Sequence, residues 1–359
     1  MEEEKSDWTT ETGLNLLLRD ILEIRRTSQE GGYVTLYGRF ILREREAIPL
    51  LKKRLAQMNL IPLLRRQGED VSIQIGRPAE QPPANPLINL LLFLATVLTT
   101  LFAGALQRGE NPLAKPISLL QGVPFSFTLL TILGAHEFGH FFASRRLGIS
   151  ATLPYFLPFP HLIGTFGAVI KIRSPMPDRR ALVEVGAAGP FAGMIFAIPA
   201  VLIGLRLSQI IEIGELTDGI SLGNSILFWI LSKLSLGNLP DGYDVILHPI
   251  AFAGWIGLFI TAMNLLPLGQ LDGGHISYAL LGRGHRPIAL IFFAFLLFFG
   301  IFWNGWIMFG IMVFILGLRH PPPLDDLTPL DPRDKFFSWI AFLLFLLTFT
   351  PVPFGFQRP

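Results

Sequence analysis

The densest group of potential metal ligands in the sequence is His136-Glu137-Phe138-Gly139-His140. On an α-helix, side chains four residues apart lie one above the other, so His136 and His140 could bind one zinc ion. Glu137 projects about 100° around the helix from His136, within reach of a water on the metal. Zinc lowers the pKa of such a water, and a carboxylate can accept its proton. The motif predicts a hydrolytic site with one Zn2+.

The surroundings of this motif argue against a chance occurrence on a polar surface helix. The apolar runs 129–135 and 141–143 flank it on both sides. Three ionisable groups in a membrane-spanning helix are costly unless they are paired or bind a metal. The environment therefore favours the metal site.

A catalytic zinc site needs three protein ligands and an open position, and Asp272 is the best candidate for the third ligand. It follows the apolar run 259–268, in a Pro- and Gly-rich stretch where the helix should break. Broken helices at membrane depth line cavities, and an unpaired aspartate there needs a cation. Two alternatives stay open: Asp272 as the N-cap of a helix that begins at Gly273, and His275 as the third ligand. The histidines interpreted as solvated loop residues are His161, His285 and His320.

Composition indicates a membrane protein. Of the 359 residues, 51% are hydrophobic and only 16% are charged, whereas soluble domains carry about a quarter charged residues. A net charge of +2 without a basic patch predicts no nucleic-acid partner. Because there are no cysteines, a metal site must use nitrogen and oxygen ligands. The polar first 80 residues show no signal peptide.

The fold class predicted is a polytopic α-helical membrane protein with about seven spans and a small N-terminal α+β domain. That domain, residues 1–80, should contain strands at 33–40, 61–64 and 71–75 and a helix at 43–58. Residues 81–86 form a linker, 87–320 the membrane core, and 321–359 a proline-rich segment and the last transmembrane helix. The predicted spans are 87–106, 124–147, 182–205, 247–268, 287–303, 305–318 and 336–352, with an interfacial or partly inserted helix over 221–236.

Lys and Arg residues predict the orientation. They cluster between Arg145 and Arg180, whereas the next loop carries only Arg206, directly after the third span, and Lys233. Because positive loops stay in the cytosol, the N-terminal domain should be cytosolic. We expect an integral protein of a bacterial inner membrane or a plastid-type membrane.

At this point the residues resemble a known family. HEFGH in a spanning helix, together with Asn264-Leu265-Leu266-Pro267-Leu268-Gly269-Gln270-Leu271-Asp272-Gly273-Gly274, resembles the site-2 proteases, over roughly residues 87–320. The resemblance implies that His136, His140 and Asp272 hold zinc and that Glu137 is the general base. It also implies cleavage within the bilayer, with a transmembrane protein as substrate and membrane lipid as surroundings.

Further segments fit this resemblance. Gly164-Thr165-Phe166-Gly167-Ala168 is similar to the family's re-entrant β-hairpin element, which makes Gly164, Phe166 and Gly167 candidate substrate-binding residues. Asn264 matches an asparagine that positions substrate, although a packing amide is the alternative. The small residues 188–193 match the third core helix, and close helix packing explains them equally well. Without a PDZ-like insert, the chain resembles the bacterial and plastid branch of ethylene-dependent gravitropism-deficient and yellow-green-like proteases.

Two rival functions remain. One is a catalytically inactive relative that binds membrane partners, and the other is an ion- or proton-coupled transporter, since intramembrane His and Asp occur in both. All four motif residues are present, which argues against the first. Transporters usually contain internal repeats, and the sequence has none that we detect.

Overall fold

The structure is a computed structural model that describes residues 11–30, 32–78, 85–212 and 219–357. The chain divides into two compact units. The first unit comprises Met1–Pro83, Pro175–Ala181 and Pro322–Asp331, and the second comprises Ala84–Ser174, Leu182–Pro321 and Pro332–Pro359. Each unit is described by itself.

The first unit is built on an antiparallel sheet with the strand order β1-β2-β4-β3. Apolar residues at helical spacing in α2, such as Leu51 and Leu55, pack with inward-facing strand residues such as Leu36 and Ile73. The three predicted strands and the helix are present, but β1 was missed. The elements are α1 (Glu11–Leu18), β1 (Leu22–Glu30), β2 (Tyr33–Phe40), α2 (Glu44–Gln57), β3 (Ile61–Gln67) and β4 (Asp70–Gly76).

Two segments distant in sequence extend this sheet beyond β3. The Leu64 amide donates to the Leu324 carbonyl over 2.7 Å, and the Leu324 amide donates to the Met176 carbonyl over 2.8 Å. Asp325 is 1% exposed, and one of its carboxylate oxygens lies 2.8 Å from Nζ of Lys52. The first unit is therefore composed of three stretches of chain rather than the amino-terminal stretch alone.

The second unit is mostly helical. Its helices lie in the apolar runs of the sequence, because a backbone in an apolar medium must satisfy its own hydrogen bonds. They are α3 (Pro86–Gln107), α4 (Val123–Arg146), α5 (Arg179–Arg206, whose first turn belongs to the first unit), α6 (Ile226–Leu236), α7 (Pro249–Asn264), α8 (Asp272–Leu281), α9 (His285–Phe299), α10 (Gly305–Leu316) and α11 (Pro332–Thr348). Short antiparallel pairs join β5 (Tyr155–Pro158) with β6 (Thr165–Val169), β7 (Gln209–Glu212) with β9 (Tyr243–Ile246), and β8 (Gly219–Leu222) with β10 (Phe354–Gln357).

Within the described ranges, four helical stretches are long and apolar enough to cross a membrane: Pro86–Gln107, Pro116–Arg146, Arg179–Arg206 and Asp272–Phe299. The prediction of a helical membrane protein is confirmed at this level. Several predicted boundaries were wrong. The helices predicted for 247–268, 287–303 and 336–352 end at Asn264, Phe299 and Thr348. The helix predicted over 221–236 begins only at Ile226, because Gly219–Leu222 pairs with β10.

Small residues let the helices around the motif approach closely. A Cβ atom at Gly139 of α4 would lie 2.5 Å from the Ala188 carbonyl of α5, and one at Gly257 of α7 would lie 2.8 Å from Ile132 of α4. Such close approach stabilises helix pairs in membranes, where burial of apolar surface cannot drive association. α4 is thus held between α5 and α7.

Candidate active site

Three buried side chains of α4 form the centre of the candidate site. His136, Glu137 and His140 are 4%, 5% and 6% exposed. The two Nε2 atoms of the histidines lie 3.1 Å apart, as expected for side chains one helical turn apart. The sequence prediction of a shared face is confirmed.

Asp272, the first residue of α8, brings its carboxylate to this pair of imidazoles. One oxygen lies 3.3 Å from Nε2 of His136, and the other lies 3.3 Å from Nε2 of His140. A tetrahedral zinc ion with bonds of about 2.0–2.1 Å separates neighbouring ligand atoms by roughly 3.3 Å. The two imidazole nitrogens have this spacing, and each lies that far from one of the two Asp272 oxygens. One ligand atom from each of the three residues lies within 4.8 Å of the others, so the three could hold a metal ion.

The second nitrogen of His140 supports the same conclusion. Its Nδ1 lies 2.7 Å from the carbonyl oxygen of Val185. Because a carbonyl can only accept, Nδ1 must carry the proton, and in the neutral imidazole Nε2 then presents a lone pair toward His136 and Asp272. Lone pairs and a carboxylate that face one another in a buried site repel each other, and a cation between them removes that repulsion.

A face of small residues on α5 gives this cluster its space. A Cβ atom at Gly189 would overlap the ring of His140, and one at Gly186 would lie 3.0 Å from the carbonyl of Asp272. At Gly193 the distance to Cβ of His136 would be 3.4 Å, an ordinary contact. The small residues 188–193 were matched to the third core helix of the family, with helix packing as the alternative, and neither Val185 nor Gly189 was predicted as a neighbour of the ligands. The spacing of the three glycines was the signal available.

The two alternatives for Asp272 do not fit the geometry. Leu271, rather than Asp272, occupies the N-cap position of α8. Nδ1 of His275 lies 2.6 Å from Nε2 of His320. Among the described residues, the group whose ligand atoms converge contains Asp272 and not His275.

The prediction that two further histidines are solvated loop residues was wrong. His285 and His320 are 2% and 7% exposed, so they are buried rather than solvated. His285 bonds to Ser277 through Nδ1 over 2.8 Å. His161 is exposed, as expected.

The β5–β6 hairpin ends beside Glu137. The backbone of Ile170, the residue after β6, faces the Glu137 carboxylate. Phe166 is 69% exposed, and Gly167, with φ +102°, has no atom near the position of an added Cβ. In the described part of the chain, β6 pairs with β5 on one edge only. An extended edge thus lies next to the carboxylate.

The other candidate residues have different surroundings. Nδ2 of Asn264 lies 3.2 Å from Nε2 of His136, so this amide belongs to the cluster. Gly164 adopts φ +81° and packs against the backbone of Thr99 and Thr100. Its carbonyl accepts a hydrogen bond from the Thr99 hydroxyl over 2.6 Å. Gly164 therefore fixes the turn of the hairpin against α3.

Comparisons with known proteins agree with this site. The family model described as peptidase family M50 matches residues 124–303, which contain the whole cluster. Two Arabidopsis thaliana proteins, "Probable zinc metalloprotease EGY2, chloroplastic" and "Probable zinc metalloprotease EGY1, chloroplastic", are each 34% identical to the chain, over 248 and 250 residues. These alignments cover 66% and 64% of this chain and 43% of each relative. The matched chain thus spans less than half the length of these relatives, and no solved structure matches it.

Proposed function

The chain belongs to peptidase family M50, and from this premise we propose that it is a zinc endopeptidase that cleaves transmembrane segments of membrane proteins within the bilayer. One observation carries the proposal: two histidine nitrogens 3.1 Å apart, each 3.3 Å from one oxygen of Asp272, converge beside a buried glutamate. The relatives are named zinc metalloproteases, which agrees with it. His136, His140 and Asp272 would hold the ion.

Zinc, when bound, would polarise the scissile carbonyl and acidify the attacking water. Glu137 accepts a proton from that water and later donates it to the leaving amine. The backbone of Ile170 faces the Glu137 carboxylate and would hold it in place for both transfers. Val185 keeps His140 in the tautomer that ligates through Nε2.

The substrate binds as an extended strand along β6. A helical peptide bond is shielded by its own hydrogen bonds, so the substrate segment must unwind before it is cleaved. The free edge of β6 offers backbone donors and acceptors to the unwound segment, which is strand addition. Since β6 leads directly to Ile170, a segment paired there reaches Glu137.

Four residues position the substrate in this scheme. Phe166 offers an exposed ring and Gly167 an unobstructed backbone. Gly164 acts indirectly, because it fixes the hairpin turn against α3. Asn264 directs its amide toward the ligand cluster, where it can hold the substrate carbonyl or the developing oxyanion.

About seven spans cross the bilayer, with the first unit in the cytosol. The composition of that unit supports this topology. Two helices, α3 and α4, separate its amino-terminal stretch from 175–181, and α5, α7, α9 and α10 separate 175–181 from 322–331. Because both numbers are even, all three stretches return to one side. The proposed domain division is a soluble domain whose main stretch is 1–80, a linker in 81–86, a membrane core in 87–320 and a proline-rich segment with the last helix in 321–359, where 175–181 and 322–331 join the soluble domain. The membrane is a bacterial inner membrane or a plastid-type membrane.

The test is the Glu137→Gln variant, with cleavage of a reporter transmembrane segment and zinc content both measured. We expect zinc content to stay at one ion per chain while cleavage falls to background. The matched control is Glu46→Gln, an exposed residue of α2 that should leave cleavage unchanged. Retained cleavage in Glu137→Gln would contradict the assignment. Zinc binding without any cleavage by the natural chain would favour an inactive relative, and metal-coupled transport would favour a transporter.

A further inference from the structure

The segment that follows α10 packs against α8 through a pair of histidines. Nε2 of His320 lies 2.6 Å from Nδ1 of His275, so one nitrogen donates and the other accepts. The His320 ring also stacks on Tyr278, with centroids 4.9 Å apart and planes at 28°. His320 is 7% exposed, so bulk water does not compete for either contact.

A second contact joins the same segment to the break between α7 and α8. Gly269 adopts φ +49° and Gly317 adopts φ +99°. A Cβ atom at Gly269 would overlap the carbonyl oxygen of Gly317. The stretch from Gly317 to His320 therefore contacts the chain three residues before Asp272 and three residues after it.

The position of Asp272 depends on contacts with residues outside α8, because Asp272 is the first residue of that helix. The chain between Asn264 and Asp272 is not helical, so no regular hydrogen-bond ladder fixes where α8 begins. His275 is one helical turn further along, and Gly186 of α5 faces both the Asp272 backbone and the His275 side chain. A contact that holds His275 in place therefore also holds the backbone from which the Asp272 carboxylate projects.

We propose that His320 is a positioning residue that, through His275, holds Asp272 at ligand distance from His136 and His140. This inference rests on the proposed zinc function. It assigns no ligand role to His320, whose ring nitrogens do not converge with the cluster. Replacing a residue that orients a metal ligand typically changes metal affinity or activity about 10- to 100-fold.

Two substitutions of His320 separate the hydrogen bond from ring packing. His320→Phe keeps an aromatic ring on Tyr278 and loses the hydrogen bond to His275. His320→Gln loses the ring and keeps an amide near the position of Nε2. We expect His320→Phe to weaken zinc affinity about tenfold, to lower kcat with little change in KM, and to shift the d–d absorption bands of the Co2+-substituted protein. His320→Gln should restore most of all three.

The measurements use the full chain in detergent, with zinc affinity obtained by competition with a chromophoric chelator. His248→Phe is the control, because it removes the side-chain acceptor at the N-terminus of α7 and does not touch the cluster. Its zinc affinity and Co2+ bands should equal those of the natural chain. If His320→Phe fails to fold, the pair His275→Leu and His275→Asn makes the same comparison from the other ring.

Wild-type affinity and Co2+ bands in His320→Phe would overturn the proposal. A His320→Gln variant as defective as His320→Phe would also overturn it, since a hydrogen-bonding group near the position of Nε2 would then fail to restore the site. Failure of the natural chain to bind zinc is a separate outcome, and it would contradict the proposed function itself.

Discussion

Gly189 lies so close to His140 that any Cβ atom at this position would overlap the imidazole ring. The two residues belong to different helices, α5 and α4, and His140 cannot retreat because its Nδ1 is bonded to Val185. The absence of a side chain at Gly189 is therefore a requirement of the candidate metal site rather than only of helix packing.

The first prediction is that Gly189→Ala removes zinc and activity while the helices remain folded. The methyl group occupies the position of the His140 ring, so the imidazole must rotate away from His136 and Asp272. Gly193→Ala is the matched control on the same helix, because its Cβ would lie 3.4 Å from His136. Zinc content and reporter cleavage should fall at least tenfold in Gly189→Ala and stay near wild type in Gly193→Ala. Equal zinc content in the two variants would contradict the geometry.

The second prediction concerns the ligand set and metal removal. Asp272→Asn replaces a charged ligand by a neutral amide, so zinc affinity should fall by two orders of magnitude or more. His275→Asn keeps a nitrogen near the position of Nδ1, so zinc should remain bound. Chelation of the natural chain should abolish cleavage, and added Zn2+ should restore it. Loss of zinc from His275→Asn but not from Asp272→Asn would show that the ligand set is wrong.

The helices could be predicted from the sequence because apolar runs near 20 residues have few other solutions in a bilayer. The motif on α4 could be predicted because its spacing is local. The prediction of Asp272 as a ligand required a further argument, namely the free-energy cost of an unpaired carboxylate at membrane depth. Local spacing and desolvation are both properties of short stretches of chain, and this is why these parts of the site were found.

The features that were missed depend on contacts distant in sequence. β1 is polar along much of its length, since it is an edge strand with exposed residues, so its alternation is weak. In the sequence, His320 precedes three prolines and has the pattern of a loop residue. Only the fold brings it to His275. The strand-like stretch around Asp325 is too short to carry a period, and it is defined by its pairing with Leu64.

The third prediction concerns the pH dependence of the first unit. Burial alone would raise the pKa of Asp325, but hydrogen bonds from Lys52 and Thr328 outweigh burial and hold it below its usual value of 3.8. A depressed carboxyl pKa stabilises the folded state above the unfolded value and loses that effect as the pH falls through the folded value. Asp325→Asn should therefore destabilise the unit by about 1–3 kcal/mol at pH 7, and by less below pH 4.

Hydrogen exchange of the Leu64 amide measures this effect, because that amide donates to the Leu324 carbonyl next to Asp325. Asp70→Asn is the control. Its carboxylate is 33% exposed and pairs with Arg25 and Arg39, so its removal should cost only about 0–1 kcal/mol. A protection loss in Asp325→Asn that is the same at pH 7 and at a pH below the folded pKa of Asp325 would rule out the ion pair as the cause.

The fourth prediction concerns membrane topology. The chain contains no cysteine, so single-cysteine variants can be labelled in sealed vesicles without background. Arg45, Pro175 and Pro329 are exposed residues, one in each stretch of the first unit. Because one compact unit cannot lie on both sides of a bilayer, cysteines at these positions should react with a membrane-impermeant maleimide from the same side. Asp241 follows α6, between the third and fourth proposed spans, so its cysteine variant should react only from the opposite side. Labelling of the Pro175 and Pro329 variants from opposite sides would require an odd number of crossings between them, and the proposed count of about seven spans would then be wrong.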